Sequence, residues 1–332
     1  MVFNRVYSKL SSLRVELLLL VGSIIICLVV LEFLFRLWSL AYVLWFFDFT
    51  NISFRGDIME SLASTLVFRT DHYNSGKPEG VFRIVVLGDS YAWGEGIRDY
   101  RMVWPYLIED ELRKNGLNVE VVNFGYRGAT LSAKRSILEK NGWMHDPDMV
   151  ILQFSFNDAV PSGRMPDELY VYHDLSRFGL EPFHSILLRY SYLYGWFNAR
   201  MTYWELKPEY LNGEIDLYED DSASYIEFEN SLGQIIHAAE DRNIPVMIQL
   251  LDTRDDDKTQ KIFQKVELRA REFGYAVCDV RSVFADSGMH EKDWWLSSDD
   301  MHPNARAQGI IGNATIDCLR ANSLLPTDYP LN

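Results

Sequence analysis

"FRIVVLGDSYAWGEG", Phe82 to Gly96, is apolar from Ile84 to Leu87, breaks at Gly88-Asp89-Ser90, and carries two more glycines at Gly94 and Gly96. A short apolar run that stops at glycine reads as a buried strand of a parallel sheet. The loop after it has three candidate uses: a phosphate cradle, a platform for a nucleophilic serine, or an ordinary tight turn. The cradle fails on its motifs. A Walker loop needs Gly-Lys-Ser/Thr after its glycines, and Gly88, Gly94 and Gly96 do not fit the dinucleotide spacing G-x-G-x-x-G. G-x-S-x-G is also missing, so this is not the usual α/β-hydrolase elbow. What stays is a serine, Ser90, at the C-terminal end of a strand.

Outward from this strand, apolar runs alternate with helical patterns. "VWPYLIEDELRKNG" has Leu107, Ile108 and Leu112 at helical spacing and Gly116 as a stop. "NVEVVNFG" reads as a second strand, "TLSAKRSILEKNGW" as a helix with Thr130 as its N-cap, and "DMVILQFS" as a third strand. Further on come a helix in "SYIEFENSLGQIIHAAEDRN", a strand in "IPVMIQLLD", a helix in "DKTQKIFQKVELRAREFG", a strand in "YAVCDV" and a last helix after Pro303, a residue that suits a first helical turn. Strands alternating with helices predict an α/β fold with a parallel sheet covered on both faces. Function in such sheets gathers at the carboxyl ends of the strands.

A nucleophilic serine needs a base, and the base needs an orienting carboxylate. Of seven histidines, His302 in "SSDDMHPN" has Asp299 three residues before it, a spacing that lets one turn deliver both side chains together. His184 has Glu181 at the same offset but lies away from any predicted strand end. Oxyanion donors are expected at the next two strand ends: the bare backbone N–H of Gly128 in "NFGYRGAT" and the side-chain amide of Asn157 in "FSFND". Taken singly, His302 reads as a surface turn, Gly128 as a turn and Asn157 as a helix cap. Three strand ends and an Asp-x-x-His agreeing in one chain favour a site.

These blocks resemble the SGNH (GDSL-type) hydrolase family, whose Ser, Gly, Asn and His fall in four blocks in that order. Here they match Ser90 in "LGDSYAWGEG", Gly128 in "NFGYRGAT", Asn157 in "SFND" and His302 in "DDMHPN", over about residues 82–319. The third block departs from the family's Gly-x-Asn-Asp, with Ser155 in place of the glycine. The resemblance implies a three-layer α/β/α, flavodoxin-like sheet, ester hydrolysis, and three oxyanion donors: the Ser90 N–H, the Gly128 N–H and the Asn157 amide. It implies no metal and no cofactor. It also points to acylated small molecules or cell-surface carbohydrate as substrates. In this reading Ser90 attacks, His302 is the base and Asp299 orients it. Two rival functions share the sequence: an O-acyltransferase that passes the same acyl group to a sugar hydroxyl, and a non-catalytic glycan-binding module.

The remaining features place the chain. It has 332 residues, 48% of them hydrophobic, and a formal net charge of −15, which argues against a nucleic-acid partner, since that needs a basic footprint. "LLLLVGSIIICLVVL", Leu17 to Leu31, is uncharged, and the apolar character runs on to Phe47. Leu17 to Leu37 is long enough to cross a membrane. Glu32 and Arg36 would pair near the interface, and Trp38, Tyr42 and Trp45 would form an aromatic belt. Arg5, Lys9 and Arg14 precede the span and put the N-terminus in the cytoplasm, with everything after the span outside. A cleaved signal peptide is the competing reading; the apolar stretch is too long for one, and no A-x-A site follows.

The expected organisation is a cytoplasmic 1–16, a transmembrane 17–37, a juxtamembrane segment and linker 38–80, and a hydrolase domain 81–325. An aromatic-rich insertion at about 160–221 holds Tyr170, Tyr172, Phe178, Tyr190, Tyr192, Tyr194, Trp196, Phe197, Tyr203 and Trp204. Most of these rings read as a satellite core, a few as walls of a substrate cleft. Of three cysteines, Cys27 lies in the apolar run, while Cys278 and Cys318 read as small core residues that can also bridge. No cysteine spacing suggests zinc.

Overall fold

A computed structural model describes residues 2–46, 75–160, 187, 190–195, 197, 215–252, 257–286, 293–297 and 300–326; within the first stretch, side chains are described for 15–38. The chain divides into two compact units. One joins Met1–Ser53 to Tyr170–Lys207, and the other comprises Phe54–Leu169 and Pro208–Asn332.

In the first unit α1, Val2–Phe46, is one continuous helix. Its stretch Val15–Trp38, 24 residues, is long and apolar enough to cross a membrane, and none of it is buried within the structure.

The second unit is an α/β fold. Its strands β1 (Phe82–Gly88), β2 (Val119–Gly125), β3 (Met149–Phe154), β4 (Val246–Leu250) and β5 (Ala276–Asp279) form one sheet in the order β2-β1-β3-β4-β5. Every pairing is parallel. This is the flavodoxin-like order, and its crevice opens where β1 and β3 lead away in opposite directions. The helices are α2 (Ser90–Trp93), α3 (Trp104–Lys114), α4 (Leu131–Lys140), α5 (Ala223–Glu240), α6 (Asp257–Glu272), α7 (Arg281–Asp286) and α8 (Ala305–Ala321).

Alternate residues of the strands feed two cores. Val85 and Leu87 pack with Leu131 and Leu138 of α4, Phe228 and Leu232 of α5, and Phe263 and Val266 of α6. Ile84 and Val86 pack on the other face with Trp104, Ile108 and Leu112 of α3 and Ala307 and Ile311 of α8. A strand buried on both faces has no polar side to show, which is why these strands read as unbroken apolar runs.

All five strands and the helices α3, α4, α5, α6 and α8 lie where the sequence pattern puts them. Thr130 caps α4, its hydroxyl accepting from Ala133 N at 3.4 Å. α8 follows Pro303 as expected: Pro303 ends a strand, and Asn304 is the N-cap, its side chain accepting from Arg306 N and Ala307 N. The side chain of asparagine supplies the acceptor that a proline lacks.

A small antiparallel pair, β6 (Trp295–Ser297) with β7 (Asp300–Pro303), was not foreseen. Cys278 on β5 and Cys318 on α8 form a disulfide, with 5.5 Å between their Cα atoms; it ties the last helix to the edge of the sheet. Cys27 is a free, exposed cysteine on α1.

Candidate active site

Ser90 opens α2 directly after β1. Asp89 caps that helix, its carboxylate accepting from Tyr91 N at 2.9 Å. The turn lies so close to the sheet that a Cβ at Gly88 would sit 2.4 Å from the Ala92 Cβ and 2.6 Å from the Gln153 amide oxygen. The glycine of Gly-Asp-Ser is therefore a demand of packing. It lets the loop of Ser90 fold back over the end of the sheet.

His302 meets Ser90 across 212 residues of chain. Its Nε2 is 2.9 Å from Ser90 Oγ, and its Nδ1 is 2.6 Å from an Asp300 carboxylate oxygen, which also accepts from the His302 backbone N–H at 3.0 Å. The ring stands edge-on to Tyr91, with centroids 5.5 Å apart. Two bonds from Gln308 lock the segment in register. This side chain, wholly buried one turn into α8, accepts from Trp104 N at 3.0 Å and donates to Tyr91 O at 3.3 Å. The helix that follows His302 is thereby pinned to the helix that carries Ser90.

The carboxylate on Nδ1 corrects the sequence reading, which expected Asp299; the residue there is Asp300, and Asp299 lies outside the described residues. A three-residue spacing brings two side chains together on a helical turn. Asp300–Pro303 is a strand, however, and in a strand residues two apart share a face. Asp300 and His302 point the same way for that reason. Burial works against a charged His302, but the hydrogen bond and charge of Asp300, with Glu95 and Asp89 behind it, outweigh this and raise its pKa above the ordinary imidazole value. Burial likewise works against the Asp300 charge, and its bonds to His302 win, holding its pKa below the usual carboxylate value.

The two expected oxyanion donors follow the two strands that flank β1 in the sheet. Gly128, after β2, has φ +67°, in the left-handed region that favours glycine. Asn157 stands in a 3₁₀ turn after β3, Phe156–Ala159. One of its two amide hydrogens goes to Ala129 O at 3.2 Å, which ties the side chain to the Gly128 loop; an amide has a second N–H to offer. The Ser155 hydroxyl donates to the Asn157 side-chain oxygen. With that oxygen occupied, the NH₂ is the end left to face the Gly128 loop. Ser155 itself is extended, φ −148° and ψ 163°, so the position demands no glycine and the family's turn survives the change.

Beneath the site runs a buried polar chain that sequence patterns did not reveal. Asp89 N donates to the Gln153 side-chain oxygen at 3.3 Å, and the Gln153 amide returns a bond to Asp89 at 2.9 Å. Lys134 donates to Gln153 O at 2.7 Å and to Asp158 at 2.6 Å, both side chains being 0% exposed. Asp158 closes the chain by accepting from Ser155 N at 3.1 Å. Burial pushes the Asp158 pKa up to about 6, although Lys134 pulls it down. A lysine on α4 is ordinarily a solvated charge. Here it joins the loop of Ser90 to the loop of Asn157. Above the site, Arg127 lies over the Trp93 ring at 3.8 Å and pairs with Glu95 at 2.5 Å, which holds the Gly128 loop against α2.

A serine hydrogen-bonded to an imidazole whose far nitrogen faces a carboxylate can act as a nucleophile. Among the described residues, no group of three or more His, Cys, Asp or Glu could hold a metal ion.

The family model "GDSL-like Lipase/Acylhydrolase family" matches residues 86–310. The chain belongs to this family. Its members' chemistry makes the protein an ester hydrolase.

Solved structures similar to the chain include TesA, at 16% identity, covering 72% of this chain and 98% of that one, with a TM-score of 0.45. The acetylxylan esterase Axe2 from Geobacillus stearothermophilus is 14% identical, with 72% and 94% covered and a TM-score of 0.46. The psychrotrophic esterase EstA from Pseudoalteromonas sp. is 12% identical, with 73% and 99% covered and a TM-score of 0.44. No curated protein matches the chain.

Proposed function

We propose that this family member is a serine esterase that removes acyl groups, acetyl foremost, from carbohydrate outside the cytoplasm. The observation that carries the reading is the unbroken chain from Ser90 Oγ to His302 Nε2 at 2.9 Å and from His302 Nδ1 to Asp300 at 2.6 Å. His302 takes the hydroxyl proton as Ser90 attacks the ester carbonyl. The imidazolium that forms is stabilised by the Asp300 charge. The carbonyl oxygen becomes an anion facing the Ser90 N–H, the Gly128 N–H and the second N–H of Asn157, where fixed donors act more strongly than on the ground state. His302 returns the proton to the departing alcohol, and water, deprotonated by the same base, releases the acid. The mechanism needs neither metal nor cofactor.

Three features support placement beyond a membrane. α1 carries an apolar stretch of 24 residues, basic residues precede it, and the catalytic unit holds a disulfide of the kind that persists in oxidising compartments. That placement favours acetylated glycan as the substrate. The test is release of acetate from acetylated polysaccharides by the purified full chain, with and without a free sugar acceptor. Acetate released at a rate independent of acceptor supports the esterase. Acetylated acceptor in place of acetate would make the protein a transferase.

A further inference from the structure

Within the apolar stretch of α1, Glu32 and Arg36 pair one turn apart at 2.8 Å, and both reach a second segment of the same unit. Glu32 accepts from Ser191 Oγ at 2.8 Å, Tyr192 N at 2.9 Å and Leu193 N at 3.1 Å. Ser191 Oγ in turn accepts from Tyr194 N at 3.0 Å. The opening N–H groups of the helical turn at 192–195 are thus taken by one anchor carboxylate and one serine. On the other side of the joint, Ser191 N closes the preceding turn on Leu187 O at 2.8 Å. The Tyr190 carbonyl accepts from the Arg36 guanidinium, which also lies 4.8 Å from the Tyr192 ring centroid.

Helix ends leave orphan N–H and C=O groups. In water, solvent satisfies them; in a bilayer the protein must do so itself. Here an ion pair on α1 does it. Glu32 lies six residues before Trp38, about 9 Å along the helix, so it falls inside the apolar stretch near its outer end. A carboxylate at that depth is costly unless paired and hydrogen-bonded, and Glu32 is both. The polar atoms of the joint turn inward, and rings face out: Tyr190 is 63%, Tyr192 52% and Phe197 54% exposed, beside Trp38 at 57%. Large aromatic rings with a polar partner at one end are the side chains that settle at a membrane interface.

We propose that residues 190–195, with Phe197, form a second membrane-contacting element, seated in the outer interface beside α1, latched to it by Glu32 and Arg36, with Tyr190, Tyr192 and Phe197 turned to lipid. This rests on reading α1 as a membrane anchor. It makes these rings of the aromatic insertion a lipid-contacting surface; of the insertion's other aromatics, Tyr218 is buried in the core of the second unit, and the rest, apart from Tyr194, lie outside the described residues.

The test uses the full chain with Cys27→Ser in phosphatidylcholine vesicles, carrying a bimane fluorophore on Val29→Cys, Phe197→Cys or, as a water-exposed reference, Leu268→Cys on α6. Quenching by nitroxide-labelled lipid and by aqueous iodide is read for each. Support is lipid quenching at positions 29 and 197, with iodide accessibility at 197 several-fold below that at 268. Lipid quenching at 29 with iodide quenching at 197 overturns the proposal and leaves the anchor standing. Iodide quenching at both overturns the two together. Adding Glu32→Ala should move position 197 toward iodide and leave 29 in lipid; an unmoved 197 would overturn the latch.

Discussion

Replacing Asp300 by asparagine removes a charge and keeps an acceptor. The Asp300 oxygen now binds both the backbone N–H and Nδ1 of His302, and an asparagine oxygen can do the same, so the imidazole keeps its tautomer. What is lost is the charge-assisted part of one hydrogen bond, the difference between ~1.5–3 kcal/mol for bonds to ionised groups and ~0.5–1.5 kcal/mol for neutral ones, about 1–1.5 kcal/mol or roughly 5- to 13-fold in rate. The Asp300 side chain is 42% exposed, and solvent screening puts Asp300→Asn at the lower end, roughly fivefold in kcat. Asp300→Ala also removes the acceptor and frees the ring to flip, so its loss exceeds that of Asp300→Asn. Asp299→Asn should leave kcat within about threefold.

The pH profile gives a second readout. His302 must be neutral to act as base, and its pKa is raised, so the acidic limb of kcat/KM lies above the ordinary imidazole value. Loss of the Asp300 charge moves that limb to lower pH. In stability the same shift contributes below the ordinary imidazole pKa and is lost as pH rises through the raised one. The assay is hydrolysis of an activated acetyl ester by the three variants from pH 5 to 9. A tenfold or greater loss in Asp299→Asn with little change in Asp300→Asn would refute the reasoning and restore the helical-turn spacing.

Asn157→Ala should lower kcat by roughly 10²–10³ with KM little changed, the usual cost of one oxyanion donor. Because Ser155 holds the amide oxygen, Ser155→Gly should lower kcat in the same manner, and the double variant should be no worse than the worse single; additive losses would separate the two residues. Lys134→Met strands the Asp158 carboxylate in the core and should cost ~3–5 kcal/mol in denaturant unfolding, whereas Lys134→Met with Asp158→Leu should recover much of it; an unchanged midpoint in the single variant would count against the buried pair. Reducing the Cys278–Cys318 bridge, 40 residues apart, should destabilise the catalytic unit by up to ~4 kcal/mol by loop closure, seen as a lower Tm with dithiothreitol; an unchanged Tm would deny the bridge that role.

The five strands were legible because burial on both faces leaves apolar runs such as Ile84–Leu87 and Val150–Leu152, bounded by polar turns. Ser90 and His302 were legible because each sits beside a local signal, a strand that stops at glycine and a helix start. Asp300 was not. Its partnership depends on β7 being extended, and β7 exists through its pairing with β6, a contact no local pattern announces. Lys134 was missed for a related reason: its charge suggests solvent, and only the packing of α4 on β3 delivers it to Gln153 and Asp158. The capping of 192–195 by Glu32 joins residues some 160 positions apart and has no sequence signature. Ser155 marked itself as a departure from the family block, but its role as a holder of Asn157 needed the hydrogen bond.

The central claim is that Ser90 is an activated nucleophile served by His302. Its most direct test is labelling of the full chain by a fluorophosphonate, with the adduct located by peptide mass spectrometry. One adduct per chain is expected, on Ser90, with a labelling rate reduced by roughly 10³-fold or more in His302→Ala, as for residues that act as one unit. An unlabelled Ser90 in folded protein, or labelling that is indifferent to His302, would contradict it.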